Sequence, residues 1–298
     1  AVAVTVFAVF SKRLSRSVVT GTMAFTAHGV IVGPEVLDLV DFGGLLGEPE
    51  FVSLVLTGTL VIVLFTDASA INASNWRDDV VPARLLGIGL PLAIVFGWAA
   101  ALVVLGDLEI WEAAVLGAML APTDAALGKS VVSNPRVPLR IRQALNIESG
   151  LNDGIALPFF IVFLEAAQAA ESSLSVADAV TELVEQVGIA VAVGVVVGVV
   201  GAHALRWGRT SGYANSYWLQ VGLLSWAVAA YGLATPLGGS GFIAAWVAGA
   251  VFGRSNRAAH DVDESLPVFA ETTGDVLTVI SFFILGVYLG PVLVALTW

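Results

Sequence analysis

Residues 186–205 read QVGIAVAVGVVVGVVGAHAL and carry no aspartate, glutamate, lysine or arginine. Residues 85–106, which read LLGIGLPLAIVFGWAAALVVLG, are equally free of these charges. As a helix that rises about 1.5 Å per residue, each stretch is long enough to cross the hydrocarbon core of a bilayer, which is about 30 Å thick. Both stretches therefore predict transmembrane helices, and the chain is predicted to be an all-α polytopic membrane protein.

The composition of the whole chain agrees with this class. Of its 298 residues, 57% are hydrophobic and only 12% are charged, whereas a soluble domain carries about 25% charged residues. The 24 acidic residues against 13 lysines and arginines leave no basic surface for nucleic acid. The absence of cysteine also excludes a secreted disulfide scaffold. The lipid bilayer is thus the expected partner of this chain, and nucleic acid is not.

Hydropathy windows separated by charged or turn-rich segments divide the chain into about ten predicted spans. They cover residues 1–10, 17–33, 51–71, 83–105, 110–128, 141–164, 183–205, 214–234, 239–253 and 272–292. All 13 lysines and arginines fall in or beside the odd-numbered loops between these spans. Since basic loops remain in the cytoplasm, we expect a multi-pass protein of the plasma membrane with cytoplasmic odd-numbered loops and an extracellular N-terminal end.

Both ends of the chain lie in apolar segments. Ala1 is not a start methionine and opens an apolar run, and Trp298 closes another. We therefore expect the chain to be a fragment that lacks its last spans.

The second and ninth predicted spans share a pattern of glycines. The matching residues are Gly21, Gly29 and Gly33 in the second span and Gly241, Gly249 and Gly253 in the ninth. Glycine is common in membrane helices because it allows close packing, which is the simpler explanation. However, spans that are seven apart cross in opposite directions, as the inverted repeats of secondary transporters do. We expect repeat one over about 1–165, a linker span over about 183–205 and a truncated repeat two over about 214–298.

Acidic residues at membrane depth are the strongest functional signal. A carboxylate at the centre of a membrane helix costs about 2.5–3.5 kcal/mol on insertion scales, so such residues are candidate site residues by default. In the fifth span, Pro122 is followed by Thr123 and Asp124. The proline frees backbone carbonyls, which together with the hydroxyl and the carboxylate form an oxygen-rich site for a small hard cation. The pattern predicts a helix broken at residues 121–124; a simple kink capped by Asp124 would also position this acid.

The sixth span carries the run from Glu148 to Gly154, ESGLNDG. Helical spacing places Ser149 and Asp153 on one face, with Asn152 beside them and Glu148 one turn below Asn152. A buried aspartate can hold either a proton or a cation, but not readily both, and this competition is the chemistry of a proton-coupled exchanger. In the third span, Asp67 either lines the same cavity or extends to the membrane interface.

At these residues the chain resembles the monovalent cation:proton antiporter family that includes the bacterial NhaP proteins and animal sodium–proton exchangers. Pro122-Thr123-Asp124 and the run that begins at Glu148 match the two hallmark motifs of that family. The resemblance implies a single transmembrane antiporter domain over 1–298 and alternate binding of cation and proton by Asp153. It further implies that Asp124 and Thr123 shape a site where helices cross.

The resemblance also assigns roles to the neighbouring residues. Ser149 would supply a hydroxyl ligand, and Asp67 would take the place of an acidic ligand of some relatives. Asn152 would be structural and marks the branch with one aspartate instead of two, which implies electroneutral exchange. Glu148 would pair with an arginine from a span beyond the end of this chain. Sodium is the expected transported cation, with potassium and lithium as alternatives. No cofactor is expected, and the resemblance implies a homodimer.

Two alternatives of other classes remain. An intramembrane aspartyl protease could use Asp124 and Asp153 from neighbouring helices, although neither acid has the tyrosine or Gly-x-Gly context of those enzymes. A passive cation channel would favour symmetric rings or filter loops, and the sequence shows neither. Peptide cleavage that depends on both acids, or a single-channel current, would discriminate them from an exchanger.

Overall fold

The computed structural model describes residues 2–14, 20–39, 47–70, 84–122, 136–138, 141, 156, 159–168, 176–258 and 265–295. Within these ranges the regular structure is helical and contains no strand. The helices are α1 (Val2–Leu14), α2 (Gly21–Val32), α3 (Pro49–Ala70), α4 (Leu90–Val104, after a π-helical turn Leu85–Gly89), α5 (Ile110–Leu120), α6 (Phe159–Gln168), α7 (Val176–Thr210), α8 (Ser216–Ala234), α9 (Gly241–Ala258) and α10 (Ser265–Ala295). The predicted all-α class is confirmed.

Five helices of the described part are long and apolar enough to cross a membrane. These segments are Pro49–Ser69, Gly87–Val104, Val184–Thr210, Ser216–Leu237 and Thr272–Leu293. The shorter apolar helices α2, α5 and α6 also overlap predicted spans, whereas the full count of about ten spans stays a prediction.

Two helices begin earlier than the predicted boundaries. Helix α7 begins at Val176 rather than near residue 183, and α10 begins at Ser265 rather than near residue 272. Residues 176–182 and 265–271 contain alanine and glutamate, which favour helix, so each helix continues past the apolar window.

Contacts divide the chain into two compact units. Unit one consists of Ala1–Val63 and Val268–Trp298 and contains α1, α2, the first half of α3 and most of α10. Within it, α2 packs directly on the backbone of α10. A Cβ atom at Gly29 would clash with the carbonyl oxygen of Phe283 and would lie 2.9 Å from the backbone nitrogen of Val287. Only glycine permits this approach of two helix backbones.

Unit two consists of Leu64–Pro267, and in it α9 packs on the last turns of α3. A Cβ atom at Gly249 would clash with the carbonyl oxygen of Phe65, and one at Gly253 would clash with the carbonyl oxygen of Ser69. Three of the six glycines in the repeated pattern, Gly29, Gly249 and Gly253, therefore serve as close contacts between helix backbones.

Helix α7 packs along the other side of α9. A Cβ atom at Gly194 would lie 2.7 Å from the carbonyl oxygen of Ala244, and one at Gly198 would lie 2.6 Å from that of Ala248. Residue numbers increase together along the two helices, so α7 and α9 run parallel.

Helices α4 and α5 form a tight antiparallel pair that positions the predicted break. A Cβ atom at Gly117 of α5 would lie 2.6 Å from the backbone nitrogen of Trp98 and 2.8 Å from the carbonyl oxygen of Ile94. The last turn of α5 is consequently held against α4 immediately before the proline.

Candidate functional site

Helix α5, in the fifth predicted span, ends where the sequence predicts a break in the helix. Helix α5 begins with a capping box, in which the Glu109 backbone N–H donates to Glu112 Oε2 at 2.9 Å. It ends at Leu120, and Ala121 and Pro122 form a bend. The proline ring is incompatible with continuation of the helix through the preceding turn. The helix thus ends just before Pro122, whereas Thr123 and Asp124 lie outside the described residues, and the broken helix over 121–124 stays a prediction.

All four predicted site residues in the sixth span also lie outside the described residues. These are Glu148, Ser149, Asn152 and Asp153. Ala156, the next described position, is 2% exposed and belongs to an apolar cluster with Ile94 of α4 and Ala118 of α5. Ala121 packs against the same cluster. Ala121 and Ala156 therefore meet in one cluster, and each lies within three residues of one of the two motifs in the sequence.

Asp67 lies near the end of α3 and is exposed, unlike its neighbour Thr66, which is 7% exposed. Ser69 Oγ donates a hydrogen bond of 2.8 Å to the carbonyl oxygen of Thr66. Asp67 itself takes part in a polar interaction. Its side chain is therefore on the accessible face of the helix, and its relation to Asp124 and Asp153 stays a prediction.

The structure contains a polar contact between helices that the sequence analysis did not predict. Within unit one, Ser281 Oγ of α10 donates to Thr59 Oγ1 of α3 at 3.1 Å. Thr59 is 7% exposed and donates in turn to the carbonyl oxygen of Val55 at 2.7 Å. Hydroxyl side chains inside apolar spans were the available signal, because such groups commonly link membrane helices.

A second unpredicted feature is a half-buried acid in unit two. Glu165 on α6 has Ser240, at the start of α9, as a polar neighbour. Within the described part of the chain, the buried atoms Glu165 Oε2 and Ser240 Oγ complete no well-formed hydrogen bond. The Ser240 backbone N–H donates to the carbonyl oxygen of Gln186 at 3.3 Å. Helices α6, α7 and α9 thus meet at one end, around a carboxyl group.

The histidines do not assemble a metal site in the part of the chain that the structure describes. No group of three or more histidine, aspartate or glutamate side chains there could hold a metal ion. His28 instead packs on Phe283, with 5.6 Å between the ring centroids, and His203 bonds to its own helix.

Comparisons with known proteins give one consistent match. A family model described as "Sodium/hydrogen exchanger, transmembrane" matches residues 1–297. A Na⁺/H⁺ exchanger of Mycobacterium tuberculosis, uncharacterised by its name, is 36% identical over 166 residues, which is 53% of this chain and 29% of that protein. The K⁺/H⁺ antiporter NhaP2 of Shewanella sp. strain ANA-3 is 25% identical over 280 residues, which is 90% of this chain and 45% of that protein. The chain spans less than half the length of these relatives.

The fold also matches a solved structure. The sodium proton antiporter MjNhaP1 of Methanocaldococcus jannaschii, determined at pH 8, aligns with a TM-score of 0.66 and 20% identity. The alignment covers 96% of this chain and 68% of the other. At this identity the likeness shows the fold alone.

Proposed function

Because the chain belongs to the sodium/hydrogen exchanger family, we propose that it exchanges a monovalent cation for protons across the plasma membrane. Sodium is the proposed cation, with potassium and lithium as alternatives, since the names of the relatives include both Na⁺/H⁺ and K⁺/H⁺ exchange. The family consists of transporters and not enzymes, so the chain is not an intramembrane aspartyl protease. A passive channel is an outcome of the test below.

We propose that Asp153 holds the proton and the cation in turn. Asp124, Thr123 and Ser149 would supply further oxygen ligands, in a site where the fifth and sixth spans cross. One observation carries this proposal: Ala121 and Ala156, each three residues along the chain from one of the two aspartates, pack in the same apolar cluster. A small hard cation prefers such oxygen ligands, and a proton competes with it for the carboxylate.

The neighbouring residues would hold this site in shape. Asn152 would bridge toward the break after Pro122, and Glu148 would need a positively charged partner because an unpaired buried carboxylate is costly. With Asp153 as the one shared carboxylate, each cation replaces one proton, so the proposed exchange is electroneutral. Asp67, exposed near the end of α3, would attract the cation rather than bind it at the exchange site.

The contacts of the two units support an inverted repeat. In unit one, Gly29 of α2 meets Phe283 of α10, and four residues later Gly33 lies beside Val287. In unit two, Gly249 of α9 meets the backbone of Phe65 in α3, and four residues later Gly253 meets that of Ser69. The second span thus packs on the tenth in the same way as the ninth span packs on the third. Such repeats allow alternating access, in which one bundle rocks against the other around the site.

The direction of the paired helices supports the proposed topology. Helices α2 and α10 run parallel, as do α3 and α9, and α7 and α9. In each pair the two spans are both even-numbered or both odd-numbered. Such spans cross the membrane in the same direction if basic and acidic loops lie on opposite sides, as proposed. The lysines and arginines then lie on the cytoplasmic side. We also propose that the chain forms a homodimer, on the basis of the family resemblance.

The test is dissipation of a pH gradient in proteoliposomes that contain this chain. Sodium, lithium or potassium is added in turn, and the same assay is repeated for Asp153→Asn and for Asp107→Asn, a control in the exposed turn before α5. We expect cation-dependent dissipation in the wild type and the control and its loss in Asp153→Asn. Unchanged dissipation in Asp153→Asn would refute the assignment, and a single-channel current would show a channel instead.

A further inference from the structure

Helix α6 packs on α4 and α5 on one side and meets α9 on another. The Phe163 ring lies 5.8 Å from the Trp98 ring of α4 and 6.3 Å from the Trp111 ring of α5, measured between centroids. Glu165, two residues later, points to a different side, because residues two apart in a helix do not share a face. Its polar neighbour is Ser240 at the start of α9. The polar part of the contact between α6 and α9 is thus a carboxyl group beside a hydroxyl group.

The turn between α8 and α9 fixes the position of Ser240. Its backbone N–H donates to the carbonyl oxygen of Gln186 in α7 at 3.3 Å, and its carbonyl oxygen accepts from the Ala244 backbone N–H at 3.0 Å. A Cβ atom at Gly239 would lie 2.7 Å from Cγ2 of Ile189, so the turn lies directly on α7. Ser240 is only 5% exposed, and its hydroxyl therefore has little access to water.

The two side chains are better satisfied when the acid is protonated. Glu165 Oε2 and Ser240 Oγ are both buried, and within the described part of the chain neither completes a hydrogen bond. An ionised carboxylate could accept from the hydroxyl, but its charge would remain buried without an opposite charge, which is costly. A protonated carboxyl group can donate to the hydroxyl instead and carries no charge.

The helices around this pair offer no positive charge at the same end, as far as the structure describes them. Helix α4 carries no titratable group, and the turn before α9 carries none. The titratable groups that the other segments place at this end are Asp107, Glu109 and Glu112 around the start of α5, Glu185 of α7 and Tyr231 of α8. At 1.5 Å per residue, Arg206 of α7 lies about 30 Å along the helix from Gln186, and Arg254 of α9 lies about 20 Å from Ser240. The neighbouring acids add to the cost of a further negative charge.

We propose that Glu165 and Ser240 form a second proton-binding site, separate from Asp153, whose proton holds the end of α6 on α9. With the proton bound, Glu165 donates to Ser240 Oγ and the two helices stay in contact. After the proton leaves, the carboxylate requires water, and water reaches the buried Oε2 only if α6 moves away from α9. Under the proposed topology this end is extracellular, so the site responds to the pH outside.

The site affects exchange because α6 continues the sixth predicted span, which carries Asp153. This step rests on the proposed function. A proton at Glu165 restrains the end of that span, so the rate of exchange should rise when Glu165 is ionised. The apparent affinity for the cation should not change, since Glu165 lies twelve residues beyond Asp153 and does not bind the cation. Glu165 is therefore a positioning residue.

The test of the proton site is hydrogen–deuterium exchange of the whole chain in detergent. Mass spectrometry follows the peptide that covers α6 at pH 5.5 and pH 8, with correction for the intrinsic exchange rate. In the wild type, protection of α6 should be about fivefold lower at pH 8, the effect of one buried hydrogen bond. Glu165→Gln keeps a donor without a charge, so its protection should stay high at both pH values. Ser240→Ala removes the acceptor and should lower protection at pH 5.5 but not at pH 8.

The matched control is Glu185→Gln, an exposed acid next to Gln186 on α7, which should keep the pH dependence of the wild type. A wild type whose α6 is equally protected at both pH values would overturn the proton site. The same dependence in Glu165→Gln as in the wild type would also overturn it. Loss of the dependence in Glu185→Gln would indicate a general effect of negative charge and would likewise exclude a specific site.

Equilibrium exchange of radioactive sodium across proteoliposomes, at equal pH on both sides, tests the effect on transport. At pH 8, Glu165→Gln should exchange about fivefold more slowly than the wild type, in proportion to the change in protection. The sodium concentration at half-maximal rate should be unchanged. Equal rates in the two chains would refute the effect on transport. Absence of exchange in every chain would refute the proposed function instead, whereas the protection of α6 reports the proton site without any transport.

Discussion

A single methyl group at Gly249 should weaken the packing of α9 on α3. In Gly249→Ala, the new Cβ atom would lie 2.8 Å from both the Cα and the carbonyl carbon of Phe65. Carbon atoms that are not bonded normally approach to about 3.5–4.0 Å, so one backbone must move by about 1 Å. Backbone atoms cannot rotate out of the way as a side chain can.

The magnitude follows from two opposing terms. Insertion of a methyl group into a tightly packed contact costs about 1–3 kcal/mol. Replacement of glycine by alanine within a helix recovers up to about 1 kcal/mol. We therefore expect Gly249→Ala to lower the free energy of unfolding by about 1–2 kcal/mol. Gly29→Ala should have a similar effect, because its Cβ atom would clash with the carbonyl oxygen of Phe283.

The assay is unfolding by titration with a denaturing detergent, followed by circular dichroism. Gly232→Ala is the matched control, because a Cβ atom there would meet nothing within 4 Å and the residue lies within α8. This control should be neutral or stabilising. If Gly249→Ala were as stable as Gly232→Ala, the close contact between α9 and α3 would not exist as described.

Three further predictions concern single polar side chains. Ser281→Ala removes the hydrogen bond to Thr59 and should lower the free energy of unfolding by about 0.6 kcal/mol, as is typical between membrane helices. Ser225→Ala, whose hydroxyl donates to the carbonyl oxygen of Val221 in its own helix, should have a smaller effect, and equal effects would argue against the contact between α3 and α10. Glu165→Gln removes the negative charge of a carboxylate whose Oε2 atom is buried, and it should raise the free energy of unfolding at pH 8 by about 1 kcal/mol. The control Glu185→Gln, at an exposed position, should leave the stability unchanged. Destabilisation by Glu165→Gln would show that the charge has a partner. Asp67→Asn should preserve exchange and weaken the apparent affinity for the cation by up to about fivefold, the effect of about 1 kcal/mol from a nearby charge in water, and complete loss of exchange would place Asp67 in the site itself.

The long apolar windows predicted helices well because a bilayer leaves little choice of structure for them. Without water to satisfy backbone groups, residues 186–205 can only form a helix, and α7 includes all of them. The ends of the helices were harder to predict. Hydropathy marks where the apolar segment stops, whereas the helix in α10 continues outward to Ser265.

The site shows a similar division. The proline at position 122 predicted the end of α5, because its effect on the preceding turn is local. The repeated glycines predicted close packing, but the sequence did not name their partners Phe65 and Phe283, since contacts between distant helices leave no local pattern. The neighbours of Glu165 could not be predicted for the same reason: Ser240 lies far from it in the chain.

The most direct test of the exchange site is release of protons when an alkali ion binds. The chain is kept in a weakly buffered detergent solution with a pH-sensitive dye, and sodium is added to the wild type, to Asp153→Asn and to the control Asp107→Asn. Our account predicts close to one proton released per sodium bound in the wild type and the control, and none from Asp153→Asn. Release that persists undiminished in Asp153→Asn would contradict the claim that this carboxylate is shared by the two ions.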